Sequence, residues 1–233
     1  NQSSHVVYMK KDDMLEIDKW ALNSLNKLVE KVTAAYESYE FHMIYHNIHN
    51  FCVVDMSNVY LDIIKDRLYT HKADSKSRRS AQTAMYIVLD ALVKLIAPFL
   101  CYTAEEIWSY MPHVKDAEDF SVLLNDMPKV DEAYAFDDAA AEKWNRVIAF
   151  RDDVNKALEG ARNAKVIGKP LEAWITIYAN DEAAEVLNAW DADDLAALCI
   201  VSKLRVIKGE GDGICGESFE GIKIAVEPAS GEK

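Results

Sequence analysis

Ser75-Lys-Ser-Arg-Arg-Ser-Ala-Gln-Thr-Ala-Met-Tyr-Ile-Val-Leu-Asp-Ala-Leu-Val-Lys-Leu-Ile-Ala-Pro98 decides the fold class. Ser75 or Ser77 can cap a helix whose apolar residues Ala81, Ala84, Val88, Leu92 and Leu95 recur at steps of three and four. A second row, Met85, Leu89 and Ile96, widens that stripe until Pro98 stops or kinks the helix. So broad an apolar face suits the centre of a helix bundle.

The flanking sequence repeats the pattern. From about 13 to 38, Leu22, Leu25, Val29, Val32 and Tyr36 line one face of a long amphipathic helix. A second stripe, Phe41, Ile44, Ile48, Cys52, Met56, Val59 and Ile63, runs without Gly or Pro to about Tyr69. Thr103-Ala-Glu-Glu106 has the spacing of a capping box and opens a short fourth helix before Pro112. Short connections between four helices imply antiparallel packing.

Residues 112–137 are acidic and read as a surface connection, and a fifth helix follows from about 138 to 164. After Gly168-Lys-Pro170 the period changes to that of a strand in Leu171-Glu-Ala-Trp-Ile-Thr-Ile-Tyr178. An acidic helical stretch at 181–198 and two strand-like runs, 199–207 and 222–227, complete a small α/β appendage. The predicted organisation is a mainly α chain: an antiparallel helix bundle over 1–137, a long connecting helix over 138–169 and a small α/β subdomain over 170–233.

Composition narrows the class further. The 233 residues are 50% hydrophobic and hold only eight glycines and five prolines, which favours long helices over many short strands. Neither a membrane span nor a signal peptide is evident, and the N-terminus Asn1-Gln-Ser-Ser-His5 lacks a basic start and an apolar middle. Cys52, Cys101, Cys199 and Cys215 are scattered, so reduced thiols and a cytoplasmic location are expected. The chain starts without Met and stops at Glu232-Lys233, which suggests a piece of something longer.

A net charge of -13 argues against a protein that grips nucleic acid over its whole surface. The charge is nonetheless uneven. Residues 63–80 carry six basic and two acidic side chains, and 143–169 carry seven against three. Between them, 104–142 hold two basic and eleven acidic groups, and 181–194 hold six acidic groups and no basic one.

Few constellations suggest chemistry. His42, His46 and His49 share a helix face, yet three imidazoles need a fourth ligand and no H-E-x-x-H accompanies them. There is no phosphate-binding glycine loop, and Gly209-Glu-Gly-Asp-Gly213 is acidic and reads as a turn. The adjacent pairs Glu105-Glu106 and Asp152-Asp153 read as a helix start and a solvated edge. Lys65, Arg67, Lys72, Lys76, Arg78 and Arg79 span a helix end, a loop and the next helix start. One reading is a solvated loop. Against it, Arg78 and Arg79 oppose the dipole of a helix N-terminus, so something else should favour them there. Tyr69 and the Asn58/Tyr60 pair lie nearby and could offer stacking or hydrogen bonds to an unstacked base. Arg151 interrupts the apolar stripe Trp144, Val147, Val154, Leu158 and Ala161, so its charge must be paired or reach a ligand. A carboxylate such as Asp55 or Asp90 is one candidate partner, an RNA phosphate the other.

Asn50-Phe-Cys-Val-Val-Asp-Met-Ser-Asn58, Tyr60-Leu-Asp-Ile-Ile-Lys-Asp-Arg-Leu-Tyr69, Arg78-Arg-Ser-Ala-Gln-Thr-Ala-Met-Tyr86 and Ile96-Ala-Pro-Phe-Leu-Cys-Tyr-Thr-Ala-Glu-Glu-Ile-Trp108 closely resemble the anticodon-binding region of bacterial-type isoleucyl-tRNA synthetases. The resemblance continues through Arg151-Asp-Asp-Val-Asn-Lys-Ala-Leu-Glu159, Ile167-Gly-Lys-Pro-Leu-Glu-Ala173 and Val226-Glu-Pro-Ala-Ser-Gly-Glu-Lys233. It implies the helix bundle of a class Ia synthetase, docking the anticodon stem-loop of tRNA(Ile) as part of a longer, monomeric synthetase chain. The full-length enzyme would activate isoleucine with ATP and Mg and carry zinc in a C-terminal module. Neither H-I-G-H nor K-M-S-K-S occurs here, so this chain is expected to be non-catalytic and to hold no cofactor or metal of its own.

Charge and position then nominate the RNA contacts: Lys65, Arg67, Lys76, Arg78 and Arg79 to phosphates or loop bases, Asn58 as a base reader, and Arg151, Arg162 and Lys165 along the stem backbone. The anticodon domain of a valyl-tRNA synthetase and a helical protein-interaction module with no RNA role are the competing readings.

Overall fold

The structure, a computed structural model, describes residues 8–113 and 120–229. Asn1–His5, residues 116–119 of the acidic connection and Ser230–Lys233 lie outside the described residues. The chain separates into two compact units, Asn1–Ala135 and Phe136–Lys233.

The first unit is helical. Helix α1, Glu16–Glu37, buries Trp20, Leu22, Leu25, Leu28, Val29 and Val32, and packs on α2, Phe41–Asn50, and on α4, Lys76–Ile96. Each large aliphatic side chain so buried contributes about 1.5–3 kcal/mol. Only Ser38–Glu40 joins α1 to α2, so these packed neighbours run antiparallel. Tyr39 makes that reversal in the left-handed region, at φ 58, while Glu40 N–H reaches back to the Ala35 carbonyl.

The second apolar stripe forms one continuous helical run, with a difference in winding. Between α2 and α3, Leu61–Thr70, residues Phe51–Tyr60 are wound as a π-helix. Phe51 rather than Cys52 is buried, and the next buried residue is Met56, five positions on, as an i→i+5 ladder requires. Of the expected stripe Ile44, Met56, Val59 and Ile63 are buried, Phe51 takes the place of Cys52, and Tyr60 and Ile64 are added fully inside, while Phe41 is exposed at the start of α2.

Helix α4 is capped by Ser75, whose Oγ accepts from Arg78 N–H at 3.3 Å. Ala81, Ala84, Val88 and Leu95 are buried, but Met85 and Leu89 of the second row are exposed, so the core-facing stripe is narrower than the sequence suggests. Helix α5, Cys101–Tyr110, begins before Thr103, and the expected capping box does not form. Glu105 instead accepts from the Ser121 hydroxyl. A small core of Val93, Ala97, Ala104, Trp108, Met111 and Val122 closes this end. The acidic connection is pinned to α1 by Asn26, which donates to the Asp131 carbonyl at 2.8 Å and accepts its N–H at 3.0 Å.

The second unit opens with α6, Asp138–Asn163, capped by Asp137 through Ala140 N–H at 2.7 Å. A four-stranded sheet follows, in the order β2-β1-β4-β3. Strand β1, Ala173–Ala179, pairs parallel with β2, Lys203–Lys208, and antiparallel with β4, Ile222–Pro228. Two helices, α7 (Asp181–Asn188) and α8 (Ala192–Cys199), form the β1-to-β2 crossover where the sequence suggests one stretch. The run expected from 199 starts as a strand only at Lys203, because Cys199 ends α8 and Ile200 turns left-handed at φ 56. The glycine-rich segment is not a tight turn: it is an irregular, bent connection that leads from β2 at one edge of the sheet to a short strand, β3, Ile214–Cys215, at the other. Gly221 is required as glycine: its φ is 82, and a Cβ would lie 2.4 Å from Asn180 Nδ2. Among the described residues no helix is long and apolar enough to cross a membrane.

Candidate nucleic-acid interface

The basic island is organised from beneath by a buried carboxylate. Asp18, on α1 and 0% exposed, accepts Tyr60 OH at 2.7 Å, Arg67 Nη2 at 2.9 and 2.8 Å, and the Ser80 hydroxyl. Ser80 Oγ in turn accepts Leu15 N–H at 2.9 Å. One acid thus ties the start of α1 to the π segment, α3 and α4. Burial, then the charge of Asp18, pushes the Tyr60 phenol well above its usual range and keeps it a donor.

Two arginines brace the loop between α3 and α4. Arg67 Nη2 also donates to the Ser77 carbonyl at 3.1 Å, and Arg78 Nη1 donates to the His71 carbonyl at 3.2 Å. Within the loop, Ser75 N–H closes on the Lys72 carbonyl at 3.1 Å. This explains one of the cations at the start of α4. Arg78 is placed to hold the preceding loop, which outweighs the few tenths of a kcal/mol of unfavourable dipole interaction.

The nominated contacts separate accordingly. The Arg67 side chain is only 14% exposed and its guanidinium is engaged internally, and Arg78 is half-buried. Lys65, Lys76 and Arg79 are exposed, with Lys65 near Asp62 at 3.1 Å, Lys76 near Asp13 at 3.7 Å and Arg79 near Gln82 at 3.4 Å. Asn58 is exposed on the π segment, whereas its sequence neighbour Tyr60 is 0% exposed and unavailable for stacking. His42, His46 and His49 are exposed on α2, with His49 stacked on Tyr45 at 5.6 Å.

In the second unit Arg151 is 3% exposed, and a backbone carbonyl engages it. Its Nε donates to the Leu198 carbonyl at 2.8 Å, so it caps the last turn of α8, where carbonyls and the helix dipole favour a cation. Asp90 pairs with Lys94 at 2.8 Å, and Asp55, whose carboxyl burial raises, faces Lys27 and Lys31. Asp153 is not a solvated edge: it is buried and accepts Ser218 N–H at 2.9 Å and Phe219 N–H at 2.8 Å, fixing the turn before β4. Arg162 and Lys165 are exposed at the end of α6, Lys165 in the left-handed region at φ 59.

Residues 18–178 match the family model described as the anticodon-binding domain of tRNA ligase. The chain belongs to this family. It is 47% identical over 222 residues to the isoleucine–tRNA ligase of Syntrophotalea carbinolica, covering 95% of this chain and 24% of that protein. It is 48% identical over 214 residues to that of Caldicellulosiruptor saccharolyticus, covering 91% of this chain and 23% of the relative. The enzyme of Natranaerobius thermophilus is 44% identical over 233 residues, covering 97% of this chain and 25% of its own length. The chain thus spans about a quarter of the length of the curated relatives it matches.

In this anticodon-binding domain the cysteines are chemically unequal. Burial pushes the Cys199 thiol up to about 12, with the charge of Arg151 acting against it, whereas Cys215 is exposed on β3. At pH 8 a thiol reagent is expected to label Cys215 and leave Cys199 untouched until the protein unfolds, read by peptide mass spectrometry. Native labelling of Cys199 at the rate of Cys215 would contradict this packing.

Proposed function

We propose that this chain is the anticodon-binding part of an isoleucine–tRNA ligase and that it holds the anticodon stem-loop of tRNA(Ile). The similarity to proteins of that name along nearly the whole chain carries the reading. The surface chemistry agrees with it: Lys65, Lys76 and Arg79 are exposed around a braced loop, with Asn58 exposed on the preceding π segment as a base reader. Arg78 contributes chiefly by fixing the loop. Arg162 and Lys165 take stem phosphates. Arg67 and Arg151 leave the contact set, since their guanidiniums serve the interior.

The domain supplies binding energy remote from the chemistry, which a full-length ligase uses to position the acceptor end of the tRNA. Isoleucine activation with ATP and Mg belongs to the rest of that monomeric, cytoplasmic enzyme. Zinc does not fit the residues in hand: among the described residues no group of three or more His, Cys, Asp and Glu could hold a metal ion.

Binding to an anticodon stem-loop of tRNA(Ile), and to the same stem-loop with its anticodon replaced, tests the reading at two salt concentrations. If Lys65, Lys76, Arg79, Arg162 and Lys165 each meet a phosphate, the expected slope of log affinity against log salt is about -3.5 to -4.5, with weaker binding of the replaced anticodon. Preference for a valine anticodon would transfer the domain to the valyl enzyme. A flat salt response would reject RNA backbone contact and leave the protein-interaction reading.

A further inference from the structure

Tyr69 is the residue the basic island leaves over. It sits in the last turn of α3 and is 85% exposed, on a surface where a bare aromatic ring gains nothing from burial. Other described aromatics are equally exposed, so charge must distinguish it. Tyr39 lies between Glu37 and Glu40; Tyr102 has Glu105 and Glu106 one turn along its helix; Tyr110 and Phe120 fall in the stretch with two basic and eleven acidic groups. Tyr69 has Asp66 one turn back on its own helix, but it alone among these belongs to residues 63–80, with six basic groups against two acidic.

Its surroundings are also rigid. The helix end beneath it is closed by His71 N–H on the Arg67 carbonyl at 3.3 Å and by Thr70 Oγ1 on the Asp66 carbonyl at 2.8 Å. Beyond it, the loop is held at both ends by Arg67 on Ser77 and Arg78 on His71. Lys72 is exposed in that loop and has no ion pair among the described residues, and Lys76 follows at the start of α4. An exposed ring on a braced helix end, with exposed cations in the adjoining loop, is an arrangement that binds an unstacked base with its phosphates, because little backbone ordering remains to be done on binding.

We propose that Tyr69 is a stacking platform for an unpaired base of the bound RNA, with Lys72 and Lys76 taking neighbouring phosphates. This rests on the anticodon-binding reading above and adds to it a base-contacting residue. Stacking on a tyrosine face tolerates any base, so Tyr69 supplies affinity and loop geometry while sequence is read elsewhere.

The test uses the anticodon stem-loop of tRNA(Ile) carrying 2-aminopurine at one loop position at a time. Tyr69→Ala is expected to weaken binding about tenfold and to restore the fluorescence that stacking quenches at one position. Tyr69→Phe keeps the ring and should bind within about twofold of the unsubstituted chain. The salt slope should be unchanged in both, whereas Lys72→Ala should reduce its magnitude by about 0.7. Because the side chain is exposed, neither Tyr69 variant should shift the thermal unfolding midpoint. Equal affinity of Tyr69→Ala, or equal loss in Tyr69→Phe, overturns the stacking role alone. Failure of the unsubstituted chain to bind any stem-loop overturns the anticodon-binding reading with it.

Discussion

Asp18→Ala should destabilise the first unit by about 3–5 kcal/mol, the range expected when one partner of a buried ion pair is removed. The substitution leaves the Arg67 guanidinium confined without its counter-charge, and strips the Tyr60 and Ser80 hydroxyls of their shared acceptor. Asp18→Asn keeps the shape and one good acceptor, and should cost less. Adding Arg67→Met to Asp18→Ala should recover part of the loss, since the stranded charge is then gone. Urea unfolding followed by the fluorescence of the buried Trp20 and Trp108 measures all three. A change below about 1 kcal/mol for Asp18→Ala would mean that the four helical segments are held by apolar packing alone.

The other large effect lies in the second unit. Arg151→Ala removes a side chain that is 3% exposed, opens a cavity beside α8 and leaves the Leu198 carbonyl without its charged donor. A hydrogen bond to a charged group contributes about 1.5–3 kcal/mol, and lost packing adds to it, so a loss of about 3 kcal/mol is expected. Binding of the stem-loop should keep its salt slope if the guanidinium serves α8 and not a phosphate. The phosphate-contact reading requires the opposite pair of results: unchanged stability and a slope smaller in magnitude by about 0.7–0.9. Measuring both on one variant therefore separates an internal helix cap from an RNA ligand.

What the sequence revealed and what it concealed follow from the range of the interactions involved. The periodicity of Leu22, Leu25, Val29 and Val32 is local, and α1 buries those residues as expected. The mainly helical chain with a late α/β section was legible for the same reason. The π winding was not, because Cys52 and Phe51 are both apolar and either gives an acceptable stripe; only packing selects Phe51. Asp18 left a usable trace, a carboxylate four residues before Leu22 on the apolar face of α1, and no acid belongs there without a partner. Its partners, 42, 49 and 62 positions away, could not be read from spacing. Arg151 was recognised as anomalous by the same rule, but its acceptor is a backbone carbonyl, and backbone groups leave no mark in composition. The basic island was visible as a charge run, while its division into bracing arginines and outward lysines depends on which carbonyls lie within reach.

The π-wound segment between α2 and α3 has a further consequence, for chain length. Each turn closed at i→i+5 contains one residue more than the α turn it replaces, so Phe51–Tyr60 stores about two surplus residues. Elsewhere in a packed helix, losing one residue rotates everything beyond it by about 100° and takes its apolar face off the core. Here the same loss can be absorbed by rewinding, with the helices on either side keeping their phase. This stretch is where the bundle can shed a residue without re-aiming the helix that ends at the basic loop.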